Sequence, residues 1–190
     1  MNRLTFEPGT MCTLIGPPGC GKSTFAAQWP DTWRVSLDFY RKLAADTETD
    51  QSATPVAVQA QNLFLDARLA RGLTTIVDST NLRASARAGL LARAAHWERP
   101  AVAVLFDVPL ATVEAQNAGR DRVVPAHIVR EFHHLLPTAE QLHDEGWPTV
   151  TWPPPSPTPP DDRYRHRHAR QPRVRHPRYP AGRVLLVHRP

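Results

Sequence analysis

The sequence predicts a three-layer α/β fold with a central parallel sheet of about five strands. Short apolar runs alternate along the chain with longer helical segments, and three of those runs are followed by polar clusters. Parallel strands need crossover connections, so this alternation implies helices on both faces of the sheet. Ligands of such sheets bind beyond the carboxyl ends of the strands, so the three clusters are expected to share one site.

The first half of the chain predicts two strands and two helices. "TMCTLIG" is an apolar run closed by a Gly-rich loop, and a helix is expected from Lys22 to about Trp29. "WRVSL" predicts a second strand that ends at Asp38. A longer helix is expected over residues 55–71, stopped by Gly72. Its apolar residues fall on roughly one side: Val58, Leu63, Leu65 and Leu69.

The second half continues the alternation. "LTTIVD" is a β-branched strand, the Ala-rich "ASARAGLLARAAHW" a helix, and "AVAVLFDV" a fourth strand. A helix starts near Leu110 and is interrupted by the polar, basic segment "NAGRDR". A further helix is expected over residues 125–145, and "TVTW" predicts the last strand.

Composition divides the chain into a domain, residues 1–152, and a tail, residues 153–190. The tail is dense in Pro and Arg and shows no helical or strand period, which predicts a mostly disordered segment. Residues 161–190 hold nine Arg and two Asp, a local net charge of +7, so the other 160 residues carry −2 of the overall +5. The tail's Arg, His and Tyr suit weak contact with nucleic acid, or else reflect only the composition of a GC-rich genome.

Nothing in the sequence predicts export or membrane insertion. "MNRLTFEPGTMC" mixes charge, Pro and Gly, unlike a signal peptide. No apolar stretch approaches the ~20 residues that a membrane span needs. Two cysteines, Cys12 and Cys20, do not form a disulfide framework. A reducing, cytoplasmic setting is the expectation.

Residues 16–24, "GPPGCGKST", match the phosphate-binding loop (P-loop) pattern G-x-x-x-x-G-K-[ST], between a strand and a helix. Glycines let successive N–H groups point at phosphate oxygens. Such a loop predicts ATP or another NTP as cofactor, with Mg²⁺. An accidental Gly-rich turn is the alternative, at roughly a one per cent chance given ordinary Gly usage. The predicted nucleotide ligands are Gly16, Gly19, Gly21, Lys22, Ser23 and Thr24, with Ser23 also on Mg²⁺.

"SLDFYRK" contains two residues suited to activate an acceptor hydroxyl. Asp38 and Arg41 are three residues apart, so on a helix they share a face. Asp38 is suited to take the proton of an acceptor hydroxyl, and Arg41 to hold an anionic group on that acceptor. The alternative is an N-terminal capping Asp followed by a solvated Arg.

The motifs together resemble the polynucleotide 5′-kinase family of P-loop kinases. "LIGPPGCGKSTFA", "SLDFYRK", "DTETDQSAT", "TIVDSTNL" and "NAGRDR" occur in that family's order and spacing over residues 4–150. The greatest similarity is to the N-terminal kinase module of bacterial RNA-repair enzymes that combine kinase, phosphatase and ligase domains. "LFDVP" gives a looser similarity to the phage kinase–phosphatase.

The resemblance implies a role for each matching residue. Asp38 matches the general base for a 5′-hydroxyl, and Arg41 the residue that grips the acceptor's phosphodiester. Arg120 matches the lid arginine that neutralises charge on the transferred group, or is a solvated loop residue; Arg122 is a weaker second candidate. Asp78 is expected to hold Mg²⁺ through water. Weaker acceptor-side candidates are Gln51, with Thr54, and Asn81, which either joins the Mg²⁺ network or caps a helix.

The sequence differs from the polynucleotide 5′-kinase pattern in two respects, and two other functions remain possible interpretations. Gln116 stands where the family often has an Arg, and the phosphatase and ligase motifs are absent from the sequence. The expected activity is a polynucleotide 5′-hydroxyl kinase acting on the 5′ ends of RNA or DNA, in nucleic-acid repair. A kinase of a small alcohol (a nucleoside, antibiotic or sugar) is the rival within enzymes. A regulatory P-loop NTPase without an acceptor is the rival outside them.

Overall fold

The computed structural model describes residues 4–120 and 122–153. It contains a five-stranded, all-parallel sheet in the order β2-β3-β1-β4-β5. The strands are β1 Met11–Ile15, β2 Arg34–Val35, β3 Thr75–Val77, β4 Ala101–Leu105 and β5 Thr149–Thr151. The helices are α1 Lys22–Ala26, α2 Leu37–Ala45, α3 Thr54–Ala70, α4 Ala84–His96, α5 Leu110–Ala118, α6 Ala126–His134 and α7 Ala139–Asp144.

Alternate residues of the central strand β1 enter different cores. Met11 and Ile15 pack on one face with side chains of α3, α4 and α7, including Leu65. Cys12 and Leu14 pack on the other face with side chains of α1, α5 and α6. Successive strand residues point to opposite faces, so a run that is apolar throughout must be covered on both sides. The predicted three-layer architecture is confirmed.

Two predicted elements have different bounds. The second strand ends at Val35, and Asp38 lies in the first turn of α2 rather than at the end of a strand. The helix expected over residues 125–145 is two helices, α6 and α7. Pro137 cannot continue a helix, and the Thr138 hydroxyl accepts a bond from the N–H of Gln141, starting α7 with a capping box.

The apolar side predicted for α3 is partly wrong. Leu65 and Leu69 are fully buried, but Val58 is 38% exposed and Leu63 is 68% exposed. The inward stripe of α3 instead includes Ala57, which packs with Val35 and Tyr40. Only a small side chain fits there, because α2 packs closely against α3. Size, rather than apolar character alone, decides this face.

Leu65→Ala is expected to lower the free energy of unfolding by about 2–5 kcal/mol, because it leaves a cavity in a closely packed core. Leu63→Ala, on the same helix but 68% exposed, is the matched control and should stay within about 0.5 kcal/mol. Urea unfolding of both variants measures the difference. Equal losses would mean that the exposed face of α3 is buried in solution.

The tail, the helices and the loops after the strands complete the description of the fold. The predicted disordered tail lies outside the described residues, which all fall within one compact unit, Met1–Pro154. Among the described residues, no helix is both long and apolar enough to cross a membrane. The loops after β1, β2 and β3 lie at one edge, since all strands are parallel, and they carry the candidate site.

Candidate active site

The P-loop joins β1 to α1 and needs its glycines for two different reasons. Gly19 and Gly21 have φ of +89° and +95°, a left-handed conformation that other residues rarely adopt. Gly16 has no room for a side chain, since a Cβ there would lie 2.7 Å from the Cys20 Sγ and 2.8 Å from the Phe106 Cβ. The backbone therefore takes a path that only this pattern of glycines permits.

Lys22 is the first residue of α1 and is 8% exposed. Its Nζ donates to the carbonyl oxygens of Gly16, at 2.8 Å, and Pro17, at 2.7 Å. No side chain of the described residues caps the start of α1. The N–H groups of its first turn, where Ser23 and Thr24 lie, are thus suited to an anion. A buried ammonium beside such N–H groups is suited to phosphate.

Cys20 lies within this loop, 3.5 Å from the Lys22 Nζ. Burial raises the pKa of the Cys20 thiol, and the neighbouring Lys22 opposes that rise only in part. The thiol is therefore protonated near neutral pH and is a poor nucleophile. Cys20 therefore has a packing role in the P-loop.

Asp78 follows β3 and is buried beneath the P-loop at 5% exposure. The Ser23 hydroxyl donates to its Oδ1 at 3.5 Å. Arg34 binds the other oxygen, with Nε at 2.7 Å and Nη2 at 2.5 Å from Oδ2. Sequence reasoning missed Arg34, because an Arg at the start of a two-residue strand has no distinctive spacing. The register explains the contact, since Arg34 pairs with Ile76 and so points to the same face as Asp78.

The residues present fit a magnesium ion. Ser23 and Asp78 offer hard oxygen ligands side by side, which Mg²⁺ prefers. The described part of the chain contains no group of three or more His, Cys, Asp or Glu side chains placed to hold a metal. A site of this composition suits an ion that also takes phosphate oxygens and water as ligands. Nucleotide and metal would thus be held together.

The Asp38 carboxylate lies at the start of α2, 53% exposed and bonded to Arg41. Arg41 itself is buried, its side chain only 10% exposed. Its Nε donates to the Glu48 carbonyl oxygen at 3.1 Å, and its Nη1 to the Thr54 hydroxyl at 3.4 Å. Asp38 is therefore an accessible carboxylate whose position is set by a rigidly held guanidinium.

The "DQSAT" segment braces this pair. The Thr54 hydroxyl, which accepts from Arg41, donates to the Gln51 Oε1 at 3.3 Å. Gln51 and Thr54 thus form the outer part of a chain of hydrogen bonds that leads through Arg41 to Asp38. In the structure both residues support Arg41. That role needs no contact with an acceptor.

Arg122 approaches the same carboxylate from the segment after α5. Its Nη1 lies 3.6 Å from the Asp38 Oδ2 and 3.0 Å from the Glu48 Oε1. Asp38 is therefore flanked by two guanidiniums from distant parts of the chain. Glu48 was not singled out from the sequence, because an exposed Glu in a polar loop carries no pattern.

Asn81 requires a correction. It was expected on the acceptor side, but it is buried at 7% exposure and its Nδ2 donates to the Leu14 carbonyl oxygen at 2.8 Å. It adopts φ of +48°, a conformation that Asn tolerates better than most residues. Its amide ties the loop after β3 to the end of β1. Asn81 thus positions the P-loop and has no face open to an acceptor.

Arg120 is exposed, one residue beyond the Gly119 that follows α5. The base of its segment is organised by Asn117, a residue that sequence reasoning did not use. The Asn117 Nδ2 donates to the Val124 carbonyl oxygen at 2.7 Å, and its Oδ1 accepts from the Val124 N–H at 3.0 Å. The Asn117 Cβ would lie 3.2 Å from a Cβ at Gly19. Asn117 therefore joins the P-loop to the predicted lid.

Asn117→Ala is expected to speed hydrogen exchange at the Val124 amide and to cost about 1–3 kcal/mol, because two partly buried backbone groups lose their partners. Hydrogen exchange read by NMR measures the first effect, and urea unfolding the second. Gln116→Ala, exposed on the same helix turn, is the control and should change neither. Unchanged exchange at Val124 would show that Asn117 does not hold this segment.

A family model described as an AAA domain matches residues 11–150. The chain belongs to this AAA domain family. The match begins at β1, includes the P-loop, Asp38, Asp78 and Arg122, and ends within β5. It therefore covers strands β1 to β4, most of β5 and every residue of the candidate site.

Solved structures agree with this assignment of the AAA domain. One chain of the Pnkp1/Rnl/Hen1 RNA repair complex is similar with a TM-score of 0.60 and 21% identity over 74% of this chain. A second structure of a Pnkp1/Rnl/Hen1 complex gives 0.50 and 21% over 65%. A gluconokinase from Sinorhizobium meliloti 1021 gives 0.48 and 16% over 76% of this chain and 81% of its own. Together with the P-loop, the two chains of the RNA repair complexes indicate a P-loop kinase fold.

The chain spans 47% and 44% of the two RNA repair complex chains that it matches. No curated protein matches this AAA domain. P-loop kinases generally bind a nucleotide and Mg²⁺, which agrees with Lys22, Ser23 and Asp78 as described above.

Proposed function

We propose that this protein is a Mg²⁺-dependent kinase that transfers the γ-phosphate of ATP, or of another NTP, to the 5′-hydroxyl end of RNA or DNA. The observation that carries the proposal is the Asp38 carboxylate, 53% exposed at the protein surface between Arg41 and Arg122. An exposed base suits the end of a long acceptor. Guanidinium groups on two sides suit an acceptor that carries phosphates.

Two hollows of the surface lie away from this base. One, of about 440 Å³, is lined by residues including Arg87, Leu136 and Glu145, and another, of about 460 Å³, by residues including Asp66 and Trp97. Neither contains a residue of the candidate site. The 53% exposure of the Asp38 side chain is what favours a polymer end over a small alcohol enclosed in a pocket.

Each residue of the site has a role in the transfer. Lys22 and the P-loop N–H groups would hold the β- and γ-phosphates, and Ser23 and Asp78 would hold Mg²⁺. The ion would neutralise charge on the phosphates. Asp38 would accept the proton of the 5′-hydroxyl as the hydroxyl oxygen forms a bond to the γ-phosphorus. The bond between the γ-phosphorus and the oxygen that links it to the β-phosphate would break at the same time. Arg120 would stabilise charge on the transferred group.

The family resemblance supports the same acceptor. The motifs at residues 16–24, 38–41, 50–54, 78–82 and 117–122 occur in the order of polynucleotide 5′-kinases. Arg41 is held by three protein groups, so its first role here is to orient Asp38. RNA repair is the process named for the complex whose chain has a similar fold.

The test is label transfer from γ-labelled ATP with Mg²⁺ to an oligonucleotide that ends in a 5′-hydroxyl. The same strand with a 5′-phosphate and a protein with Asp38→Asn are the controls. We expect label on the 5′-hydroxyl strand alone, and loss of it in the variant. ATP binding without transfer to this strand would overturn the polynucleotide assignment, and transfer to a nucleoside or sugar would replace it by a small-alcohol kinase. Hydrolysis that no acceptor changes would indicate a regulatory NTPase.

A further inference from the structure

The two arginines beside Asp38 differ in how far the protein uses their donors. Arg41 is 10% exposed, and all three of its nitrogens are engaged by Glu48, Thr54 and Asp38. The Arg122 side chain is 35% exposed, and its recorded contacts use one nitrogen, Nη1. Arg122 is therefore the more accessible arginine of this pair, and it keeps more donors for a ligand.

The carboxylate partner of Arg122 is also exposed. The Glu48 side chain is 42% exposed, and its Oε1 lies 3.0 Å from the Arg122 Nη1. Exposed ion pairs of this kind contribute little to stability, because water and salt compete for both groups. Phosphate, by contrast, binds a guanidinium through two charge-assisted hydrogen bonds. Exchange of the Glu48 carboxylate for a phosphate on Arg122 is therefore inexpensive.

Charge balance favours the same exchange. Arg41 and Arg122 carry two positive charges, and Asp38 and Glu48 carry two negative charges, so the cluster is neutral. An acceptor that brings a phosphodiester beside Asp38 adds a negative charge, which the carboxylates repel. If the phosphate takes the place of Glu48 on Arg122, the cluster stays neutral around the base.

We propose that Arg122 determines specificity for an acceptor with an anionic group next to its reacting hydroxyl, and that Glu48 is the internal counter-ion which that group replaces. This inference rests on the proposed kinase function. It assigns the acceptor's first phosphodiester to Arg122 and leaves Arg41 to orient Asp38. It also gives Glu48 a measurable effect, since Glu48 competes with the acceptor for the same guanidinium.

The test compares two 5′-hydroxyl oligonucleotides of one sequence, one with ordinary linkages and one with a neutral methylphosphonate at the first linkage. The kcat and KM of transfer are measured for the wild-type protein and for Arg122→Gln, Arg122→Lys, Glu48→Gln and Arg130→Gln. Arg130 forms an exposed ion pair with Glu114 and has no contact recorded with Asp38, so its variant controls for a lost surface charge.

The proposal predicts a coupling between Arg122 and the first linkage. For the wild-type protein, the neutral linkage should raise KM roughly tenfold to a hundredfold, the effect of losing a charged hydrogen-bonded partner. Arg122→Gln should raise KM similarly on the ordinary strand, with little further change on the neutral strand. Arg122→Lys should recover part of the loss. Glu48→Gln should lower KM for the ordinary strand alone, and Arg130→Gln should match the wild-type protein.

Other outcomes separate the two proposals. If the effects of Arg122→Gln and of the neutral linkage multiply, the phosphate is bound elsewhere and the proposal for Arg122 falls. An equal fall in kcat on both strands would also overturn it, since Arg122 would then act on Asp38 or the transferred group. No transfer by the wild-type protein to either strand would overturn the proposed function and, with it, this inference.

Discussion

Asp38→Asn is expected to lower the rate of phosphate transfer by a factor on the order of 10² to 10⁴, the usual contribution of a general base. The amide keeps the size of the carboxylate and its place at the start of α2, but it cannot take up the hydroxyl proton. Arg41 keeps its bonds to Glu48 and Thr54, so the local structure should persist. Single-turnover transfer to a 5′-hydroxyl strand measures the loss directly.

Asp46→Asn is the matched control for this variant. Asp46 is the exposed residue that follows α2, and it has φ of +57°, a conformation that Asn also accepts. Its rate should equal that of the wild-type protein, and both variants should bind nucleotide normally. A full rate for Asp38→Asn would show that another group removes the proton, and the role given to Asp38 would be wrong.

Lys22→Ala is expected to reduce transfer by a factor on the order of 10² to 10³, the effect of removing one preorganised donor from a reacting centre. The ammonium lies against the P-loop backbone, bonded to Gly16 and Pro17, so its loss removes positive charge from the predicted phosphate site. Nucleotide affinity should fall as well. Fluorescent nucleotide binding and label transfer measure the two effects separately.

Lys42→Ala is the control, because Lys42 is an exposed lysine on α2 rather than in the P-loop. Nucleotide affinity should not change in this variant. Circular dichroism and urea unfolding should show that Lys22→Ala is folded, since the expected effect comes from the loss of the ammonium charge and not from a change in packing. Normal nucleotide binding by a folded Lys22→Ala protein would contradict the phosphate site described here.

Much of the fold follows from local patterns in the sequence. Five apolar runs and the glycines of residues 16–21 predict the sheet, its layers and the P-loop, because parallel strands and phosphate loops have strict local requirements. The strand order does not follow, since it depends on which runs pair across long separations. The break at Pro137 was open to prediction, because a proline so placed ends a helix.

The candidate site is less predictable than the fold. Motifs predict roles for Asp38, Arg41 and Ser23. Arg34 and Glu48 act through contacts with residues distant in the chain, and Asn117 acts by binding Val124, seven residues further on. No spacing rule finds an arginine on the neighbouring strand of Asp78. Asn81 shows the opposite error, because its place in a motif suggested an acceptor role and its burial gives it a structural one.

The double hydrogen bond from Asn117 to Val124 closes a small ring in the chain, with Arg120 and Arg122 inside it. The entropy of bringing the ends of such a loop together is lost when the protein folds, and it need not be lost again when substrate binds. Asn117 also lies against Gly19, so the ring is anchored to the P-loop. We expect insertions that keep this closure to be tolerated. If the closing amide were lost, both arginines would have to become ordered each time substrate binds, which would weaken binding.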